Sequence, residues 1–157
     1  KLLESLGVGQ LPYTLPDMSL NNKCFVSWYT DAGFENEIKT VTEYKDITLY
    51  AKFVDPSENL EFTLIDSSYY MVSGYTGNDS VVYVPEYYKG YPVLFVGEKA
   101  FLNNDSITKI YLPVSTMAVL DQAFFGCNNL SALSFKLCNL SFNIRNNVFF
   151  KRQITSD

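Results

Sequence analysis

The stretch "GEKAFLNNDSITKIYLP" (residues 97–113) is followed by "LDQAFFGCNNLSALSFK" (residues 120–136), and the two say nearly the same thing 23 residues apart, Gly97 to Leu120. At that offset Ala100 falls on Ala123, Phe101 on Phe124, Asn104 on Cys127, Ile107 on Leu130, Ile110 on Leu133 and Leu112 on Phe135. Each copy pairs Ala with Phe, runs through an Asn-rich turn and then alternates apolar residues into a short strand. Self-similarity at a period of roughly 20 to 50 residues marks a solenoid, in which a unit too small to bury its own apolar side stacks on a neighbour and shares a core. Repetition thus supplies the core that each unit lacks.

A weaker third copy follows. "IRNNVFFKRQITS" (144–156) echoes "VLDQAFFGCNNLSA" (119–132), with Ile144 on Val119, Val148 on Ala123 and Phe149 on Phe124. The sequence stops before the strand that would close this coil. An uncapped coil exposes apolar edge, so the natural protein is expected to continue.

Outward from the repeat, the chain reads as many short strands. Tyr, Phe, Val, Ile and Thr are punctuated by Gly, Asn, Asp and Pro every eight to twelve residues or so, which favours β-structure over helix. "CFVSWYT" (24–30) places Phe25, Ser27 and Tyr29 on one face and Val26, Trp28 and Thr30 on the other. "DITLYAKF" (46–53) alternates in the same way, and "DAGFENEIKTVTEYK" between them is a polar excursion with room for a turn of helix. "VDPSEN" (54–59) breaks the pattern and is the best boundary. "GYTGND" (74–79) suggests a hairpin or meander, and the repeat is expected to take over from Pro92.

Composition narrows the function. A chain of 157 residues with 47% hydrophobic content can build a core, and its net charge of −5 gives no basic surface for nucleic acid. No run of about 18 apolar residues crosses a membrane. The chain has no histidine. That removes Ser-His and Cys-His nucleophiles and the commonest metal ligand. Its three cysteines, Cys24, Cys127 and Cys138, fit neither a zinc pattern nor a disulfide framework. A Cys127–Cys138 bond is conceivable, but free buried thiols are the simpler reading. The acids Asp31, Glu35, Glu37, Asp55 and Glu58 form no Asp-x-Asp-x-Asp-Gly loop and read as solvated groups rather than a calcium site or a glycosidase pair. No catalytic residue, metal or cofactor is expected.

The spacing Ile107-x-x-Ile110-x-Leu112, repeated as Leu130-x-x-Leu133-x-Phe135, resembles the BspA-like leucine-rich repeats of bacterial surface proteins. The family's strand follows a Gly-x-x-Ala-Phe turn, here Val96, Gly97, Ala100 and Phe101, then Val119, Ala123, Phe124, Gly126 and Cys127; Leu120 departs where Gly is usual. Residues 11–53, with Phe25 to Asp31 ("FVSWYTD") and the closing "ITLYAKF", are similar to the Listeria–Bacteroides repeat, the internalin-type B module. The resemblances imply a mainly β chain: a small β-grasp-like module at 1–55, a β-hairpin cap at 60–91, and a leucine-rich-repeat solenoid of 23-residue coils at 92–157. They also imply a bacterial, secreted or cell-surface protein.

The repeat itself suggests where a partner would bind. Residues between the inward leucines point out of the solenoid: Lys109 and Tyr111 in one coil, Ala132 and Ser134 in the next. A second group is the tyrosine cluster of Tyr69, Tyr70, Tyr75, Tyr83, Tyr87, Tyr88 and Tyr91, since tyrosine joins large contact area to a hydrogen-bonding tip. Phe101, Phe124 and Phe149, recurring at the repeat period, read instead as an internal spine. The expected function is adhesion or recognition of a surface protein or glycan, through Lys109, Tyr111, Ser134, Tyr87 and Tyr88. The alternatives are an architectural spacer, or an accessory region of a carbohydrate-active enzyme.

Overall fold

The computed structural model describes residues 9–20 and 22–134 together with the backbone strand at 143–144. Among the described residues every regular element is a strand. The chain divides into two compact units: Lys1–Met18 with Phe25–Phe53, and Ser19–Cys24 with Val54–Asp157.

The first unit carries strands β1 (Tyr13–Thr14), β2 (Cys24–Tyr29), β3 (Glu37–Ile38), β4 (Thr40–Val41) and β5 (Tyr50–Val54). They form a three-stranded sheet in the order β3-β2-β5 and an antiparallel pair β1-β4. Within β2, Ser27, Trp28 and Tyr29 are all buried, so this strand is covered on both faces rather than alternating. The Trp28 indole donates to the Pro16 carbonyl at 2.6 Å, satisfying the polar edge of a buried ring. Phe25 packs edge-on against both Trp28 and Phe53. The turn of helix expected in 31–45 is replaced by a tight loop and the short strands β3 and β4. The strand expected over 46–53 begins only at Tyr50.

The second unit continues with β6 (Leu60–Ile65), β7 (Tyr69–Tyr75), β8 (Val81–Tyr83), β9 (Tyr87–Tyr88), β10 (Tyr91–Val96), β11 (Lys109–Tyr111), β12 (Ala118–Val119), β13 (Ala132–Ser134) and β14 (Asn143–Ile144). Two ladders run through it, β14-β12-β10-β7-β6 and β13-β11-β8. Pairing within them is parallel, except that β6 is antiparallel to β7 and the short β9 is antiparallel to β10. Parallel neighbours cannot be joined by a tight turn. From β7 onward, the short β9 aside, successive strands of the chain therefore alternate between the two ladders, which is the geometry of a coil. β6 closes one end as an antiparallel cap.

This corrects two expectations. "GYTGND" is not a hairpin, because β7 and β8 lie in different ladders; it is the corner of a coil. The hairpins fall elsewhere: a two-residue connection at Lys89-Gly90 (φ 48° and 85°) joins β9 to β10, and a three-residue one at 66–68, with Asp66 and Ser67 at φ 48° and 53°, joins β6 to β7. Coil geometry also reaches back to Tyr69, inside the segment expected to be only a cap.

The core lies between the ladders. Val72, Val96 and Val119 line one side in register, while Val82, Ile110 and Leu133 line the other, all of them buried. Between them the ring of Phe101 stacks on Phe124 at 5.4 Å and meets Tyr75 at 5.7 Å. The phenylalanine spine is thus present, with Tyr75 taking its place in the first coil; Phe149 lies outside the described residues. Each such buried side chain contributes about 1.5–3 kcal/mol of apolar transfer. Backbone bonds connect the coil corners too: Phe101 N–H to the Ala123 carbonyl and Asn103 N–H to that of Phe125, both 2.8 Å. Asn103 and Gly126 are equivalent by the repeat, and both are left-handed, at φ 56° and 75°.

Candidate functional site

The ladder of β8, β11 and β13 sets out three rows of side chains. Val82, Ile110 and Leu133 form the middle row and are buried. Because side chains alternate across a strand, the flanking rows point the other way. One is Val81, Lys109 and Ala132; the other is Tyr83, Tyr111 and Ser134. Apolar residues inward at Ile107, Ile110 and Leu112 are repeated at Leu130 and Leu133, in parallel register and one 23-residue period on (Lys109 to Ala132). These coils are leucine-rich repeats.

Solved structures similar to this chain each cover about half of it. A T. pallidum leucine-rich repeat protein is 28% identical with a TM-score of 0.48, over 50% of this chain and 37% of that one. A leucine-rich repeat protein from Bacteroides capillosus is 25% identical with a TM-score of 0.46, over 50% of this chain and 62% of its own. A leucine-rich cell surface protein from Faecalibacterium prausnitzii is 24% identical with a TM-score of 0.46, over 51% of this chain and 22% of that one. The chain therefore spans about a third, under two-thirds and about a fifth of these three relatives. No family model and no curated protein matches the chain.

On the leucine-rich-repeat sheet, the structure brings Lys109, Tyr111 and Ser134 together as the spacing implied. Tyr111 and Tyr83 stack nearly parallel, 4.8 Å apart and inclined by 16°. Adjacent strands hold the rings at this distance, so the ladder itself sets the stack. The Lys109 ammonium lies over the Tyr111 ring, 4.5 Å from its centre. Ser134 is exposed beside them. Beyond β8, Ser57 caps the edge: its N–H donates to the Tyr83 carbonyl and its Oγ accepts from Tyr83 N–H, both at 3.0 Å. None of the residues of β8, β11 or β13 is acidic.

Tyr87 and Tyr88 do not join this sheet. They form β9 on the other ladder, and their side chains take opposite faces, with Tyr88 opposite Tyr91 and Tyr87 opposite Pro92. Tyr88 stacks on Phe62 at 4.2 Å, meets Tyr70 edge-on at 5.0 Å, and packs against the core. Tyr87 points outward and is 45% exposed. Of the wider cluster, Tyr75 is a core ring whose hydroxyl donates to Asp79 at 2.8 Å while accepting the Asp79 N–H at 3.1 Å. Burial, and after it the Asp79 carboxylate, raise its pKa above the ordinary phenol value. Tyr83 is the residue that spacing at 23 missed. Its signal was "VVYVP" (81–85), which matches "KIYLP" (109–113) at an offset of 28 (Val81 to Lys109).

The remaining reactive groups are engaged structurally. The Cys127 thiol donates to the Phe101 carbonyl at 2.8 Å, and Asn104, its repeat equivalent, donates from its amide to the Gly77 carbonyl at 2.9 Å. Each ties its coil to the one before. Cys127 is a free thiol, half-buried rather than buried, and burial raises its pKa. Burial, with Asp55 adding to it, pushes the buried Cys24 thiol up to about 12. Cys138 lies outside the described residues. The Asp31 carboxylate accepts from the N–H groups of Asn36 (2.8 Å) and Glu35 (3.2 Å), bonds that lower its pKa and fold its loop. Among the described residues no three Cys, Asp or Glu side chains gather as metal ligands.

Proposed function

We propose that the chain is a non-enzymatic binding module of a bacterial surface protein, in which the β8–β11–β13 sheet recognises a protein or glycan partner and the first unit serves as a spacer. The observation that supports this reading is the outward row of Tyr83, Tyr111 and Ser134 beside Lys109. The row's side chains take no part in the buried core, yet the ladder holds two of its rings pre-stacked. Rigid tyrosines contribute contact area without much loss of side-chain freedom on binding. The surface location rests on the BspA-like resemblance of the repeats.

The test is a binding screen of the chain against immobilised glycans and extracellular-matrix proteins, with Tyr111→Ala and Lys109→Glu alongside. Binding that disappears in both variants, at unchanged melting temperature, supports the sheet as the recognition surface. A well-folded chain that binds no member of the screen overturns it and leaves the architectural spacer.

A further inference from the structure

We propose that two copies of this chain pair through the outer edge of β6, antiparallel across a two-fold axis, on a different ladder from the proposed binding sheet. The first ground is an open edge. β6 ends the ladder β14-β12-β10-β7-β6, and each of its residues from Leu60 to Ile65 is matched to β7 on one side. Among the described residues no strand pairs with its other side. Alternate residues of an antiparallel strand turn their N–H and C=O groups to opposite sides, so a row of donors and acceptors faces outward. The short ladder is treated differently, since Ser57 covers the edge of β8 by bonding both the N–H and the carbonyl of Tyr83. An edge is a template for another strand unless lysine, proline or a similar device blunts it, and β6 ("LEFTLI") holds no lysine, arginine, proline or glycine.

The second ground is self-complementarity. Leu60, Phe62 and Leu64 share one face of β6, and Glu61, Thr63 and Ile65 the other. Antiparallel pairing centred on Phe62 sets Leu60 opposite the second copy's Leu64, and Phe62 opposite its own equivalent. Glu61, the strand's one charged residue, then meets the second copy's Thr63, and no like charges oppose. Leu60 and Phe62 pack against the core, whereas Leu64 is 41% exposed; the second copy's Leu60 covers it. Centring on Thr63 instead would set Glu61 against the apolar Ile65, a poorer match.

The third ground is rigidity. Phe62 stacks on Tyr88 at 4.2 Å and meets Tyr70 edge-on at 6.2 Å. The strand is thus fixed from its core side before a second copy arrives, and association orders little more. Pairing of this kind is isologous: it uses up both edges and stops at two. The edge is about 20 Å long for the six residues of β6, short for a permanent interface, which points to a reversible dimer.

Sedimentation velocity of the whole chain, from about 1 to about 500 μM, reads the association. We expect a dimer half formed at roughly 10–100 μM. Thr63→Glu sets an acid opposite Glu61 twice across the axis and should weaken the dimer at least about tenfold, as should Leu64→Lys. Thr63→Lys should tighten it by roughly threefold, an advantage lost at high salt. Glu61→Lys combined with Thr63→Glu restores opposite charges across the axis and should recover the dimer. Thr48→Glu, the same change at an exposed threonine of the other unit, should alter nothing. Melting temperatures accompany every variant. Should Thr63→Glu or Leu64→Lys fail to fold, Thr63→Lys and the exchanged pair carry the test. A chain that is monomeric at every concentration overturns the proposal and leaves the edge to a strand of another protein. A dimer indifferent to Thr63→Glu and Leu64→Lys overturns it as well, because another surface then holds the copies. So does an exchanged pair that associates no better than Thr63→Glu alone, or a Thr63→Lys dimer no tighter than the original.

Discussion

Replacing Phe101 and Phe124 by Leu, singly and together, tests whether the coils are held by ring contacts between neighbours or only by apolar volume. Both rings are buried, and they stack at 5.4 Å and 27°. Each single variant loses apolar surface and packing, at a cost of about 1–2 kcal/mol. The ring pair adds roughly 0.5–1.5 kcal/mol beyond buried area, and that part disappears with either substitution. The double variant should therefore be less destabilised than the sum of the singles by about 0.5–1.5 kcal/mol. Tyr75 and Phe124 both neighbour Phe101, and Tyr75→Leu with Phe124→Leu serves as the control, expected to add within about 0.5 kcal/mol. Urea unfolding followed by far-ultraviolet circular dichroism gives all four corners of each cycle. Strict additivity of the Phe101–Phe124 cycle would refute the reasoning. So would equal coupling in the control, since that would make the core a single pooled volume.

Gly126→Ala should destabilise the chain by roughly 1–2 kcal/mol, because a left-handed residue (φ 75°) gains a Cβ that would run into the Asn103 side chain; an unchanged melting temperature would show that the corner relaxes freely. Iodoacetamide at neutral pH should label Cys24 and Cys127 slowly in the native chain and quickly in urea, since burial raises both thiols. Peptide mapping reads each site, and fast native labelling of Cys24 would contradict its burial. For Asp31, whose folded pKa is lowered, the loop's stabilisation is present above the unfolded carboxylate value and is lost as pH falls through the folded one. The amide resonances of Glu35 and Asn36 should move together over that acidic interval, and a titration that leaves them still would remove the capping role.

What the sequence made legible was whatever recurs at a constant offset. Ala100 and Ala123, Ile110 and Leu133, and the turn pair Asn104 and Cys127 occupy equivalent places because a parallel ladder with equal coils demands equal spacing. The first coil escaped that test. Val72 pairs with Val96 at 24 residues, whereas Val82 pairs with Ile110 at 28, so no single offset aligns both of its strands. Tyr83, half of the stacked pair, was legible only as one of a cluster of tyrosines and not as the neighbour of Tyr111, for the same reason. The tyrosine-rich segment misled in another way. Adjacent tyrosines share composition but not direction, so Tyr87 and Tyr88 part to opposite faces. Strand β2 is buried on both sides because Pro16, Glu37 and Phe53 reach it from elsewhere in its unit, contacts that no alternation within 24–30 encodes.

The backbone bonds that join one coil to the next have a mechanical consequence. They run from coil to coil, in the direction in which the solenoid grows, so a pull along that direction loads one inter-coil interface as directly as another. Such an arrangement peels rather than shears. Each peeled 23-residue coil (Lys109 to Ala132) releases roughly 80 Å of extended chain. Under flow or traction, a stack of these coils would lengthen in equal steps and yield one rung at a time.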